Sequence, residues 1–219
     1  MNSFAERMLD YLMEVANGNL DVNLWIHIAV LGVLISVYVI KNTEIRSTLM
    51  KATVFLLLTS VAVHAFVYGN PVHFGTFAVV AASAAFQLVK RKSIIEWSKN
   101  PRNTMFSVTI MFLGFWYPKF VEVNALESLL YSPLGVVPCA TLLMTLGLLT
   151  ACYPSVSKVQ YGITTLAALF YGTVGVFVFK VYFDISLLIL VIYAAVNLLA
   201  SVTKQRAALG GRIVEKARG

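Results

Sequence analysis

The chain has 219 residues, 59% of them hydrophobic and 12% charged, and a mean hydropathy of +0.80. Soluble domains carry roughly 45–50% apolar and about 25% charged residues, so this chain lacks the polar side chains to cover a core in water. The same excess of apolar surface excludes disorder. What is left is an all-α integral membrane protein.

The first 21 residues are not apolar enough to span a bilayer. Ser3 and Glu6 have the spacing of a capping box, and Phe4, Met8, Leu12 and Val15 recur on one helical face. This segment is expected to be an amphipathic interfacial helix that stops at Gly18. A cleavable signal peptide would place positive charge first and a small-residue cleavage site after it, and neither is seen. Apolar runs then predict a bundle of seven spans, near residues 22–40, 49–68, 74–89, 104–120, 136–153, 161–181 and 185–202. A further short helix is expected over 124–131, between Pro118 and Pro133. Pro138 suits the first turn of span five, where its missing N–H costs little. Gly147, Gly162, Gly172 and Gly175 permit close approach of helices. Residues 203–219 form a basic tail.

Charge sets the expected orientation. With the N-terminus outside, only Arg7, Lys119 and Lys180 of the 17 Lys and Arg residues fall on the outer side. That asymmetry is the positive-inside pattern, and an odd span count requires it to end with the C-terminus in the cytoplasm. The net charge of +7 is therefore a signal of insertion in the cell membrane. It is not a nucleic-acid footprint, because the basic residues sit at span ends with no binding module. The expected partners are the lipid bilayer, other membrane subunits, and anionic lipid or a cytoplasmic protein at the tail.

The same topology gathers the chemically interesting side chains near the outer face. His27, His64 and His73 lie there, together with Asn70, Pro71, Tyr117, Pro138, Cys139, Lys180 and Asp184. Imidazole and thiolate can ligate zinc, copper or haem iron, which makes His64, Cys139, His27 and His73 the candidate ligands. The competing role is structural: a histidine near a helix end bonds a carbonyl or hydroxyl of a neighbouring span, for His64 Tyr117 or a carbonyl freed by Pro138. The chain has no HxxxH or HExxH pair, and no metal or other cofactor is expected. Lys180 and Asp184, four residues apart at a helix end, are expected to form a local ion pair. Cys139 and Cys152 would lie about 20 Å apart along one helix and cannot pair within it. The last span has no lysine to hold a retinal.

Several of these stretches carry a resemblance. His64, Asn70-Pro71, Gly75-Thr76-Phe77, Tyr117-Pro118, the run from Gly135 to Thr141, and Thr145 to Leu149 are the recognisable pieces. Between Trp25 and Asp184 the chain resembles a domain-of-unknown-function family of prokaryotic polytopic membrane proteins. That family has proline where Ala140 stands here, and its pattern does not include His27 or His73. The resemblance implies seven spans and brings no activity, substrate or cofactor.

No nucleophile elbow, P-loop or dinucleotide fingerprint occurs, so the chain is read as a non-catalytic subunit of a larger membrane complex. Transport or permeation of a small solute or ion is the alternative, and a haem- or metal-bearing redox protein the third reading. The topology is directly testable. In a background lacking Cys139 and Cys152, Asn2→Cys is expected to label from outside and Gly210→Cys from inside. Labelling of both from one side would overturn the odd span count.

Overall fold

The computed structural model describes residues 4–90 and 94–216, with side chains from 5 to 90 and from 94 to 203. The proposed capping serine, Ser3, lies outside the described residues. Helix α1 (Phe4–Asn17) packs Leu12, Val15 and Ala16 against Val136 and Val137. After a turn at Gly18 the chain enters α2 (Leu20–Val39), then α3 (Thr43–Val67), α4 (Pro71–Val89) and α5 (Pro101–Phe115). A loop holding the four-residue α6 (Ser128–Tyr131) leads to α7 (Pro138–Ala151) and α8 (Lys158–Thr173). A π-helical turn (Val174–Val178) and a 3-10 turn (Tyr182–Asp184) connect α8 to α9 (Ile185–Lys216). Among the described residues there is no strand.

Side chains that compete with the backbone mark the helix starts. Asn42, Asn70, Asn100 and Ser157 each accept a hydrogen bond from the first turn of α3, α4, α5 and α8. Pro71, Pro101 and Pro138 occupy first-turn positions. The helices therefore begin at their caps and not at the first apolar residue, so α3 starts at Thr43 where the apolar run predicts 49.

Among the described residues five helical segments are long and apolar enough to cross a membrane: Leu20–Val39, Thr43–Val67, Pro71–Val89, Lys158–Val178 and Tyr182–Thr203. The segments expected over 104–120 and 136–153 are helical but shorter. Helix α5 has 15 residues and α7 has 14, about 22 and 21 Å at about 1.5 Å per residue. Helix α5 stops at Phe115 because Pro118 follows: it has no N–H to continue the ladder and disfavours the helical region at Tyr117. The expected helix over 124–131 is regular only over Ser128–Tyr131; ahead of it residues 124–127 form a turn in which Asn124 Oδ1 accepts from the N–H groups of Leu126 and Glu127.

All fourteen residues of α7 are buried. It packs against α3, α5, α8 and α9, as expected of a helix apolar on every side. Close approach to α5 depends on Gly114, where a Cβ would lie 2.7 Å from the Met144 nitrogen and 2.9 Å from the Ala140 carbonyl oxygen. Gly114→Ala is expected to cost about 1–3 kcal/mol, the usual penalty of overpacking, read as a lower midpoint of thermal unfolding in detergent. Gly32→Ala is the control, because nothing lies within 4 Å of a Cβ there.

Candidate functional site: a buried polar layer

A short helix inside a bundle leaves terminal N–H and C=O groups that water cannot reach. At the C-terminal end of α7, Asn103 Nδ2 donates to the Thr150 carbonyl (2.7 Å) and the Ser98 N–H to the Ala151 carbonyl (2.7 Å). The Thr150 hydroxyl bonds the Tyr161 hydroxyl at 2.9 Å. At the other end the chain turns through Gly135, at φ 77°, a left-handed conformation that glycine adopts without strain. Its N–H donates to Thr141 Oγ1 (2.8 Å), which in turn donates to the Val137 carbonyl (2.8 Å). Lys51 Nζ, on α3, donates to the carbonyl of Lys90 at the end of α4 (3.2 Å).

The carbonyl released where α5 ends is met by His27. The ring is 1% exposed; Nδ1 lies 2.7 Å from the Asn23 carbonyl, and Nε2 lies 3.0 Å from the Phe115 carbonyl and 3.2 Å from Ser132 Oγ. Ser132 Oγ also donates to the Phe115 carbonyl (2.9 Å). One N–H of a neutral ring and one hydroxyl proton thus match two carbonyls. Beside them Asn23 Nδ2 donates to the carbonyls of Ala16 (3.1 Å) and Tyr131 (3.2 Å), tying α1, α2 and α6 together.

The other histidines go elsewhere. His64 is part-buried, and its Nδ1 lies 2.8 Å from the Ser60 carbonyl of its own helix, in place of the neighbouring-span partner expected for it. An imidazole four residues along a helix reaches that carbonyl without leaving its face. His73 is buried with its ring between Tyr11 (5.9 Å between centroids) and Tyr171 (5.2 Å), and its Nδ1 has no hydrogen-bond partner. Among the described residues no three His, Cys, Asp or Glu side chains come together as a metal ion would need. Asn70 and Pro71 start α4: Asn70 Oδ1 accepts from the His73 N–H at 3.0 Å, and Asn70 Nδ2 meets Met8 Sδ at 3.5 Å.

Tyr117, Cys139 and Asp184 do come together. The Tyr117 hydroxyl donates to Asp184 Oδ1 at 2.5 Å, and the Cys139 thiol faces the same carboxyl. Tyr117 and Asp184 are both fully buried. Lys180 does not pair with Asp184. It is exposed, at φ 58°, where the chain has left helical geometry, so the four-residue spacing no longer places the two on one face. The carboxyl sits instead against Gly175, in the space a Cβ would fill.

Sequence reasoning missed Asn23, Asn103, Ser132, Tyr11 and Tyr171. Asn23 and His27 did leave a signal, since they stand four apart on one face of an otherwise apolar run. Ser132 and Asn103 left none, because their partners are distant in the chain. No family model, curated protein or solved structure matches the chain.

His27→Ala is expected to lower stability by about 1–3 kcal/mol, since it exposes no replacement donor for buried carbonyls. His64→Ala is expected to cost less, about 1 kcal/mol or below, because the Ser60 carbonyl already serves its helix. Thermal unfolding of both variants in one detergent checks the order.

Proposed function

We propose that the protein is a non-catalytic integral membrane subunit that docks a transmembrane helix of another subunit on the outer side of α2. The observation that carries this reading is an unused notch. Gly32 is exposed, with nothing within 4 Å of where a Cβ would stand. Ser36, one turn on, has its hydroxyl occupied by the Gly32 carbonyl at 2.7 Å. Gly32 and Ser36 form a small-xxx-small pair, the pattern that lets two helix backbones approach inside a bilayer. The pair faces away from Asn23, His27 and Val30, through which α2 packs on the bundle.

In this reading the five long apolar helices are joined by α5 and α7 as spans four and five of seven, in the cell membrane, with the N-terminus outside and the C-terminus in the cytoplasm. The bilayer thins locally, or loops bury the ends, where those two helices fall short. Helix α1 lies at the outer interface, and the basic end of α9 meets anionic lipid or a cytoplasmic partner. Membership of the polytopic family that the chain resembles belongs to the same proposal.

The test is extraction from native membranes in mild detergent. Wild type is expected to carry a stoichiometric membrane partner, and Gly32→Leu to lose it with its own thermal stability unchanged or raised by up to about 1 kcal/mol. A wild-type monomer that restores solute flux in liposomes would replace this reading with transport.

A further inference from the structure

Asp184 holds a buried carboxyl that the subunit role does not use. It ends the 3-10 turn ahead of α9 and is 0% exposed. Oδ1 accepts from Tyr117, while Oδ2 has no hydrogen-bond partner. Tyr117 faces the carboxyl from beyond the end of α5, and Cys139 faces it from the first turn of α7. Tyr171 of α8 stands within electrostatic reach of Cys139. Each of these is a neutral acid in its protonated form, so none brings positive charge. Lys180, on the same connection, is exposed. The remaining side is closed by Gly175, so tightly that a Cβ there would overlap the carboxyl.

A carboxylate in such surroundings lacks both a counter-ion and donors for its second oxygen, which is the costly way to bury a charge. Asp184 belongs to no group of three His, Cys, Asp or Glu side chains among the described residues that could hold a metal ion. A proton needs no such set. We propose that Asp184 is a proton-binding site, and that loss of its proton releases the connection between α8 and α9 from α5 and α7.

The chemistry is a single protonation. One O–H bond forms at Oδ2 with a proton taken from water, Tyr117 keeps its own proton and continues to donate to Oδ1, and release returns the proton to water. The connection is built to move. The π-helical turn interrupts the ordinary helical ladder, and such turns recur at functional positions. Lys180 breaks the helical path at φ 58°. The Val181 N–H reaches back to the Gly175 carbonyl (2.9 Å) and the Phe179 N–H to Val174 (3.0 Å). Ionisation would place charge between Tyr117, Cys139 and Gly175, and hydrating it requires this turn to swing outward.

Two measurements on the full chain in lipid nanodiscs test the proposal. In infrared difference spectra at pH 5, wild type minus Asp184→Asn is expected to show the C=O stretch of a protonated carboxyl, shifted downward in D2O. Tyr117→Phe is expected to move that band without abolishing it, and this variant reads the same group should Asp184→Asn not fold. A difference spectrum with carboxylate bands alone, or a wild-type carboxyl band that Tyr117→Phe leaves unmoved, overturns the site. The second measurement is maleimide labelling of Cys139 in a Cys152→Ala background. The ratio of its rate in wild type to that in Asp184→Asn is expected to rise about tenfold per pH unit while the carboxyl is mostly protonated. A carboxylate facing the thiol disfavours the thiolate, so its own electrostatic effect on the rate runs opposite to the expected rise. A ratio that stays constant with pH overturns the coupled release of the turn.

Discussion

Helix α7 is buried on every face and is too short to carry its own ends to water. Each end of an α-helix leaves about four backbone groups without a partner inside the helix, and in a dry bundle an unpaired one costs on the order of 1–3 kcal/mol. The rest of the molecule is arranged around that requirement. Asn103 and the chain at Ser98 close the C-terminal end. The N-terminal end is closed by Pro138, which has no N–H to leave unpaired, and by the Gly135 turn folded onto Thr141. Gly114 then brings α5 close enough for its own side chains to contribute.

The same logic explains the histidine that matters most to the fold. Helix α5 ends early because of Pro118, and its last carbonyl falls where water is absent. His27 and Ser132, from α2 and from the loop after α6, supply the proton it needs. A neutral ring carries one N–H, so His27 bonds one of the Asn23 and Phe115 carbonyls, and the Ser132 hydroxyl donates to Phe115 beside it. Asp184 is the opposite case. Its second oxygen is unmatched by any donor, so the internal pairing that governs the remainder of the layer stops there.

Around this centre, packing grades outward. Helices α3 and α8 bury half of their apolar windows, whereas α2 and α9 bury about a fifth (22%), so these two offer the largest share of apolar surface to a partner or lipid. On α2 that surface carries Gly32, and on α9 it is broadly aliphatic, with Ile189, Ile192, Val196 and Leu199 exposed. An exposed glycine in a helix lowers stability without improving internal packing, which gives Gly32 a meaning that the exposed aliphatic residues do not have.

Composition and periodicity by themselves determined that the chain is helical and where its long apolar helices lie, because helices apolar enough to cross a membrane require long apolar runs whatever the tertiary arrangement. Asn70 and Pro71, read only as members of the outer polar layer, cap α4, whereas Pro138 as a first-turn residue was also legible, since capping acts within four residues along the chain. Helix lengths were less so. Pro118 was visible, but its shortening of α5 to Phe115 depends on a neighbour able to receive the freed carbonyl. The polar layer was legible as a set of residues and not as a set of bonds. Lys180 and Asp184 looked like partners because they are near in sequence, yet the π-helical turn and the left-handed Lys180 separate them. Asp184 meets Tyr117 from 67 positions away along the chain. That pairing, the one between His27 and Phe115, and the choice of α7 as the central helix were decided by tertiary structure, because a hydrogen bond is directional and short while the sequence pattern of hydrophobicity carries no direction between helices.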